Sequence, residues 1–444
     1  MSKLEDSTNA EKTKNLVYQG NQAGLASLVG TVLEWYDFVI YGVSAALVLN
    51  KVFFPDIDPL MGTLAAFATY AVGFIVRPIG GIVLGHLGDK LGRKTVLMLT
   101  LFLMGISTTI IGFLPTYHTA GIWATISLIV LRLIQGFGAG GEYASAAVLS
   151  VEHAPKGKRG RGGAWAAVGF SLATLLAYGV YFLCLRLLGQ DAFIAWGWRL
   201  PFIFGAVCVV FGFIVRLHIV EPPAFQKAKV AREETNKHIG LFSVFRRHPR
   251  EVFIVVGSRM GENGFAYFYP VFILAYMTTG LGLSDDIGLW GVLIASVVQL
   301  IAIPFLATLS DKVGRKPIYK WGAILSIAWL IPFFLLINTG SSWAIILGFV
   351  VGLGLGYAGL TAAQASWYAE LFEPDFRVSG FAVSYEIGSI LAGGFAPLIC
   401  TALYGWSGHW WPVAVYMAFL GLLTLIALAL GPETLHKDIE ITEE

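Results

Sequence analysis

The chain has 444 residues, 56% of them hydrophobic and only 13% charged, with a formal net charge of +2. Soluble domains carry roughly 25% charged residues, so this composition excludes an ordinary water-soluble protein and sets much of the surface against lipid. So small a net charge offers nothing to a nucleic-acid partner, and the information lies in where the charges sit.

The first fifteen residues are polar and mixed in charge, with no apolar core or small-residue cleavage site. No secretory signal is expected, and the first apolar span itself serves for insertion. Apolar stretches then run over 22–49, 61–87, 95–114, 121–151, 163–188 and 200–220. After a polar stretch they resume over 251–280, 286–309, 317–338, 342–371, 378–404 and 410–430. Each reaches the roughly 20 residues that cross a bilayer as helix. The expectation is an all-α integral membrane protein of twelve transmembrane helices: a six-helix bundle over 1–220, a linker over 221–250, and a second six-helix bundle with a short tail over 251–444.

Alternate loops hold the basic residues: Lys90, Arg93 and Lys94, then Lys156, Lys158, Arg159 and Arg161, then Lys312, Arg315 and Lys316, with the linker adding more. The opposite loops carry little beyond Lys51 and Arg199 and show Trp123, Trp196, Trp198, Trp290, Trp406 and Trp410 instead. Lys and Arg mark cytoplasmic loops and Trp marks interfaces, so both termini are expected in the cytoplasm, with the chain in a plasma (bacterial inner) membrane. Cys184, Cys208 and Cys400 lie in separate apolar spans without metal or redox spacing. No phosphate-binding G-x-x-x-x-G-K-[ST] loop occurs, so energy has to come from an ion gradient or a partner. No catalytic residues, metal or organic cofactor are expected.

One signature occurs twice, 222 residues apart: Gly88-Asp89-Lys90-Leu91-Gly92-Arg93-Lys94 and Ser310-Asp311-Lys312-Val313-Gly314-Arg315-Lys316. At nearly the same offset Glu152, Pro155 and Arg159 echo Glu370, Pro374 and Arg377. Two matches at one offset point to parallel repeats of six helices, an arrangement that rocks about a central site. In the signature, Asp89 can face the positive N-terminus of a helix from the other half, while Arg93 and Lys94 hold carboxylates or lipid phosphate. Gly88 and Gly92, like Gly314 in the second copy, allow a tight turn.

Charges inside the spans nominate the central site, because an ionisable group in hydrocarbon is expensive. Glu34 and Asp37 share one face of span one. Arg77 lies in span two, Arg132, Gln135 and Glu142 in span four, Arg259, Glu262 and Asn263 in span seven, and Glu386 in span eleven. Asp37 is assigned the proton, with Arg132 as its charged partner across the cavity and, once released, the seat for a substrate carboxylate. Arg77 faces either the cavity or the cytoplasm. Glu142 is a second proton station or a gate, Arg259 and Glu262 have the spacing of an intrahelical ion pair, and Glu386 sits on a glycine-rich helix suited to bending.

The doubled signature resembles the loop motif of the major facilitator superfamily. Glu34-Trp35-Tyr36-Asp37-Phe38, Arg77-Pro78-Ile79-Gly80-Gly81, the run Gln135 to Tyr143 and Trp196-Gly197-Trp198-Arg199-Leu200-Pro201-Phe202 are similar to its metabolite:proton symporter family. Met61 to Thr69 and Ser379 to Pro397 look most like a shikimate-transporter-like branch. The resemblance implies proton-coupled uptake of a small organic acid by alternating access. Alternatives are symport of a zwitterionic osmolyte of the proline or betaine type and a non-transporting receptor-like protein. Expected partners are a small organic anion, protons and membrane lipid, with a monomer sufficient.

Overall fold

A computed structural model describes residues 2–91, 93–140, 142–155, 157–218 and 241–437, with no strand among them. The first six spans are α1 (Ser2–Leu47), α2 (Pro59–Leu91), α3 (Arg93–Ile111), α4 (Ile122–Glu152), α5 (Arg159–Leu188) and α6 (Arg199–His218). The last six are α7 (beginning as Pro249–Tyr267), α8 (Asp285–Val313), α9 (Arg315–Asn338), α10 (Ser342–Leu371), α11 (Arg377–Ser407) and α12 (Trp411–Leu430). Residues 219–240, most of the expected linker, lie outside the described residues. Among the described residues eight helices are long and apolar enough to cross a membrane, and α6 with the preceding Gln190–Gly197, bent by 58°, makes a ninth. The apolar run of α3, Thr95–Ile111, is shorter, and α7 gives up hydropathy to Arg259 and Glu262 in its middle.

Side chains such as Phe102, Phe113, Phe211, Phe253, Ile301, Phe305 and Phe419 are exposed, the apolar skin a bilayer requires. Trp123, Trp196, Trp290 and Trp406 are exposed near helix ends. Trp198 departs from the interfacial role expected of it: it is fully buried between Phe53 and Phe202.

Within the first six spans α2 and α4 pack backbone to backbone. A Cβ added at Gly136 would collide with the Gly73 carbonyl, so only glycine permits the approach. The two sets of six meet on an aromatic floor. Tyr267 of α7 lies 5.7 Å from Tyr70, 5.4 Å from Phe74 and 6.4 Å from Trp35, ring centre to ring centre. Several spans depart from regular helix at this level: α4 breaks after Gly138, and widened π-type turns occur at Phe268–Phe272, Val350–Gly356 and Ser389–Gly394. Such turns free backbone groups and are tolerated where neighbouring helices re-satisfy them.

The linker side of the bundle is closed by polar contacts between the halves. The Asp311 carboxylate accepts the N–H groups of Gly160 at 2.7 Å and Arg161 at 3.0 Å, capping the N-terminus of α5. Arg377 pairs with Glu152 at 2.6 Å, and Arg159 donates to the Lys437 carbonyl at 2.8 Å. Around them, Arg315 binds Asp311 at 2.7 Å and Glu370 at 3.2 Å, while Lys316 donates through Nζ to the Gly431 carbonyl. Gly314 makes the turn at φ +108°, a conformation that disfavours any residue with a Cβ. The helix-capping geometry expected of Asp89 is thus adopted by Asp311. In the first copy, Gly92 and the side chains from Gly88 through Lys94 lie outside the described residues. On the opposite side Arg186 of α5 meets Asp286 of α8 at 3.1 Å, half exposed.

Candidate functional site

Arg132 points from α4 into the first six spans and is fully buried. Its guanidinium carbon lies 4.2 Å from the ring centre of Tyr41, 4.5 Å from Phe38 and 4.9 Å from Tyr70. Three aromatic faces offset part of the cost of burying the charge. Nη1 donates to the Gln135 side chain one turn on, whereas Nε and Nη2 have no hydrogen-bond partner.

Asp37 does not form an ion pair with Arg132, which corrects the pairing expected from the sequence. Helical residues diverge by about 100° each, so Phe38 and Tyr41 meet Arg132 while Asp37 turns toward α3 and α6, where Thr108 and Gly205 lie beside it. Gln135 donates through Nε2 to the Thr108 hydroxyl at 2.7 Å. The hydrogen-bonded chain runs Arg132–Gln135–Thr108 and ends on the Met104 carbonyl, so Asp37 lies beside this chain rather than in contact with Arg132. Glu34, on the same face as Asp37, belongs to another cluster.

That cluster centres on Arg77, which neither snorkels nor lines an open cavity. Its Nη2 lies 2.8 Å from Glu34 of α1, and its Nε 2.9 Å from Glu386 of α11. All three side chains are at most 5% exposed, and Trp35, Phe38 and Phe74 surround the guanidinium. The triad therefore crosses between the two halves.

Arg259 pairs with Glu262 at 2.5 Å, the intrahelical bridge its spacing suggested. It also donates to Asn263 at 3.3 Å, to the Ser389 hydroxyl at 2.9 Å and to the Tyr385 carbonyl at 3.2 Å. Glu262 in turn accepts from the Tyr357 hydroxyl at 3.1 Å. These groups form one wall of a cavity between the halves, faced by Trp35, Tyr143 and Phe170 of the first six spans. Its free volume of about 10 Å³ is the room a single water needs. A metabolite enters only if the halves separate. Glu142 stands apart, half-buried where α4 resumes, and accepts from Thr100 at 3.3 Å. Gln364 of α10 also reaches this cavity, whereas Gln299 of α8 donates to the Leu353 carbonyl at 2.8 Å.

Thr108, Tyr70, Tyr143, Tyr357, Tyr385 and Ser389 complete these clusters and were not singled out from the sequence. Hydroxyls and rings are common in apolar helices, and the signal that marks these is their place across from Arg132 and Arg259 rather than any spacing along the chain. Among the described residues no group of His, Cys, Asp or Glu is arranged to hold a metal.

A family model described as sugar (and other) transporter matches residues 23–241 and 226–444. The shikimate transporter of Escherichia coli (strain K12) is 37% identical over 412 residues, 93% of this chain and 94% of that protein. The proline/betaine transporter of Salmonella typhimurium (strain LT2) is 32% identical over 422 residues, 94% of this chain and 84% of that protein. Among solved structures, the proton:xylose symporter XylE bound to 6-bromo-6-deoxy-D-glucose superposes with a TM-score of 0.75 at 18% identity, covering 94% of this chain and 97% of that one. That likeness speaks for the twelve-helix fold. The chain belongs to the sugar (and other) transporter family of the major facilitator superfamily: it is a multi-pass membrane transporter of small metabolites, not an enzyme.

Proposed function

We propose that this transporter takes up a small organic acid together with protons by alternating access, with Arg132 receiving the substrate carboxylate and Asp37 carrying a proton. One observation carries the reading: Arg132 is fully buried, has no carboxylate partner, and has an Nε–Nη2 edge that makes no hydrogen bond, with Gly73 of α2 packed against it until the helices move. A guanidinium buried without a counter-ion is costly, and that edge suits bidentate binding of a carboxylate. An anion arriving there offsets the positive charge of Arg132 near Asp37, so substrate and proton bind together. Rocking of the two halves then exposes the site alternately, with the Asp311 cap on α5 and the Arg186–Asp286 pair as the contacts that part.

The basic loops on the linker side support an orientation with both termini in the cytoplasm of a bacterial inner membrane. A monomer contains every residue of the reading. A second reading, uptake of a zwitterionic osmolyte, has its own observation: Trp35, Tyr143, Phe170 and Tyr385 surround Glu262 in the interface cavity, and aromatic faces suit a quaternary ammonium.

Vesicles with an imposed acid-outside gradient, given labelled shikimate, citrate, proline or glycine betaine, test both. Uptake of an acid that collapses with a protonophore and in Asp37→Asn supports the first reading. Uptake of betaine or proline alone selects the second. Uptake indifferent to protonophore and to Asp37→Asn contradicts the coupling role of Asp37.

A further inference from the structure

We infer that Glu386 is a second proton-binding site, separate from Asp37, whose protonation accompanies the parting of the two halves. The inference extends the proton-coupled reading above and stands on the geometry of the Arg77 triad. Glu34 and Arg77 belong to α1 and α2, whereas Glu386 belongs to α11, so one of the two ion pairs of Arg77 crosses the interface that must rearrange. The crossing point is tight: a Cβ at Gly394 of α11 would lie 3.0 Å from Phe74 of α2. The widened turn Ser389–Gly394 begins three residues after Glu386.

The triad is asymmetric under separation. Arg77 keeps Glu34, its partner within the first six spans. Glu386 loses its guanidinium and finds no replacement in its own half. The charged and titratable groups around it are Arg77 and Glu34 on α2 and α1, Arg259 and Glu262 on α7, Tyr143 on α4, Tyr267 on α7, and Tyr385 on its own helix. Among the described residues of its own half Arg259 is the cation beside it, and its three nitrogens are taken by Glu262, by Ser389 and Asn263, and by the Tyr385 carbonyl, while Arg132 lies in the other half. Arg77 is the cation that holds Glu386 ionised, so a carboxylate that loses it takes up a proton more readily. The step is a plain proton transfer: a hydronium ion on the open side gives its proton to the Glu386 carboxylate and becomes water as the Arg77–Glu386 pair breaks, and the proton returns to water when the pair re-forms. Loss of the ion pair and gain of the proton are one event, so opening takes up one proton at Glu386.

The test uses the purified full chain in detergent without substrate, with Cys184, Cys208 and Cys400 replaced by Ala. Spin labels go on exposed residues of opposite halves, Leu187 and Trp290 on one side, Lys158 and Lys312 on the other. The open fraction is read from label distances between pH 5 and 9, a range set by the solution and not by the protein. Where the site titrates, the open-to-closed ratio should rise by up to about tenfold per pH unit of acidification. Glu386→Gln should open more at neutral pH and lose that acid response. Glu386→Asp should keep it. Arg77→Gln removes the pair from both forms, so it should open more and lose most of the acid response. A Glu386→Gln protein that still responds to acid as the wild type does overturns the inference, as does a response abolished by Asp37→Asn alone. Failure of the symport reading shows elsewhere, as uptake indifferent to protonophore, so the two fail separately.

Discussion

Arg132 and Arg77 are the same residue type, equally buried, and both ringed by aromatic faces, yet their surroundings differ in one respect that separates their roles. Arg77 is balanced by Glu34 at 2.8 Å and Glu386 at 2.9 Å. Arg132 has an amide, Gln135, and three rings, with no carboxylate in contact. A buried charge whose partners are supplied by the protein holds structure together, and one whose partner is missing is the natural candidate for the ligand site proposed above. Arg259, paired with Glu262 within one helix turn, falls on the structural side of that division while still facing the cavity.

Replacing each arginine should therefore do opposite things. The largest effect on binding is expected for Arg132→Gln: loss of the substrate carboxylate contact should weaken acid binding roughly 30-fold or more, while thermal stability stays within about 2 kcal/mol of wild type because only cation–π contacts go. Equilibrium binding and a melting curve check both halves of that statement. Arg77→Gln should show the reverse, a stability loss of about 3–5 kcal/mol from stranding two buried carboxylates, partly recovered in the double variant with Glu386→Gln. Next comes Gly136→Ala, which forces α4 from the Gly73 backbone and should cost about 1–3 kcal/mol; a matching loss of uptake would tie helix approach to transport. Asp311→Asn weakens the cap on α5 by about 0.3–1 kcal/mol and should shift label distances toward a linker-side-open form. The smallest effect belongs to Arg186→Gln on the opposite face, where the exposed pair contributes at most about 1 kcal/mol and should lose its influence in high salt.

Much of the architecture was legible in the sequence because bilayer thickness demands long apolar runs, and the runs at 286–309, 317–338 and 342–371 fall on α8, α9 and α10. The doubled signature was legible because glycine, aspartate and arginine at a helix corner have few other uses, and Asp311 with Arg315 occupies such a corner. Partners across the bundle were not. Glu34 and Asp37 share a helical face, and spacing along α1 cannot tell which neighbouring helix each will meet. Asp37 lies beside Thr108 of α3 and Gly205 of α6, and Glu34 met Arg77 of α2. The Arg259–Glu262 bridge lies within one helix and could be read from spacing alone. The aromatic box around Arg132 was hidden for the opposite reason, since Phe38, Tyr41 and Tyr70 look like ordinary core until the guanidinium is placed over them.

The claim that Arg132 is reserved for a substrate carboxylate is tested most directly by comparing binding of the transported acid with binding of its uncharged methyl ester, in wild-type protein and in Arg132→Gln. The account predicts a strong preference for the acid in the wild type that disappears in the variant, with the variant still folded. A variant that keeps the preference would contradict it and place the anion site elsewhere.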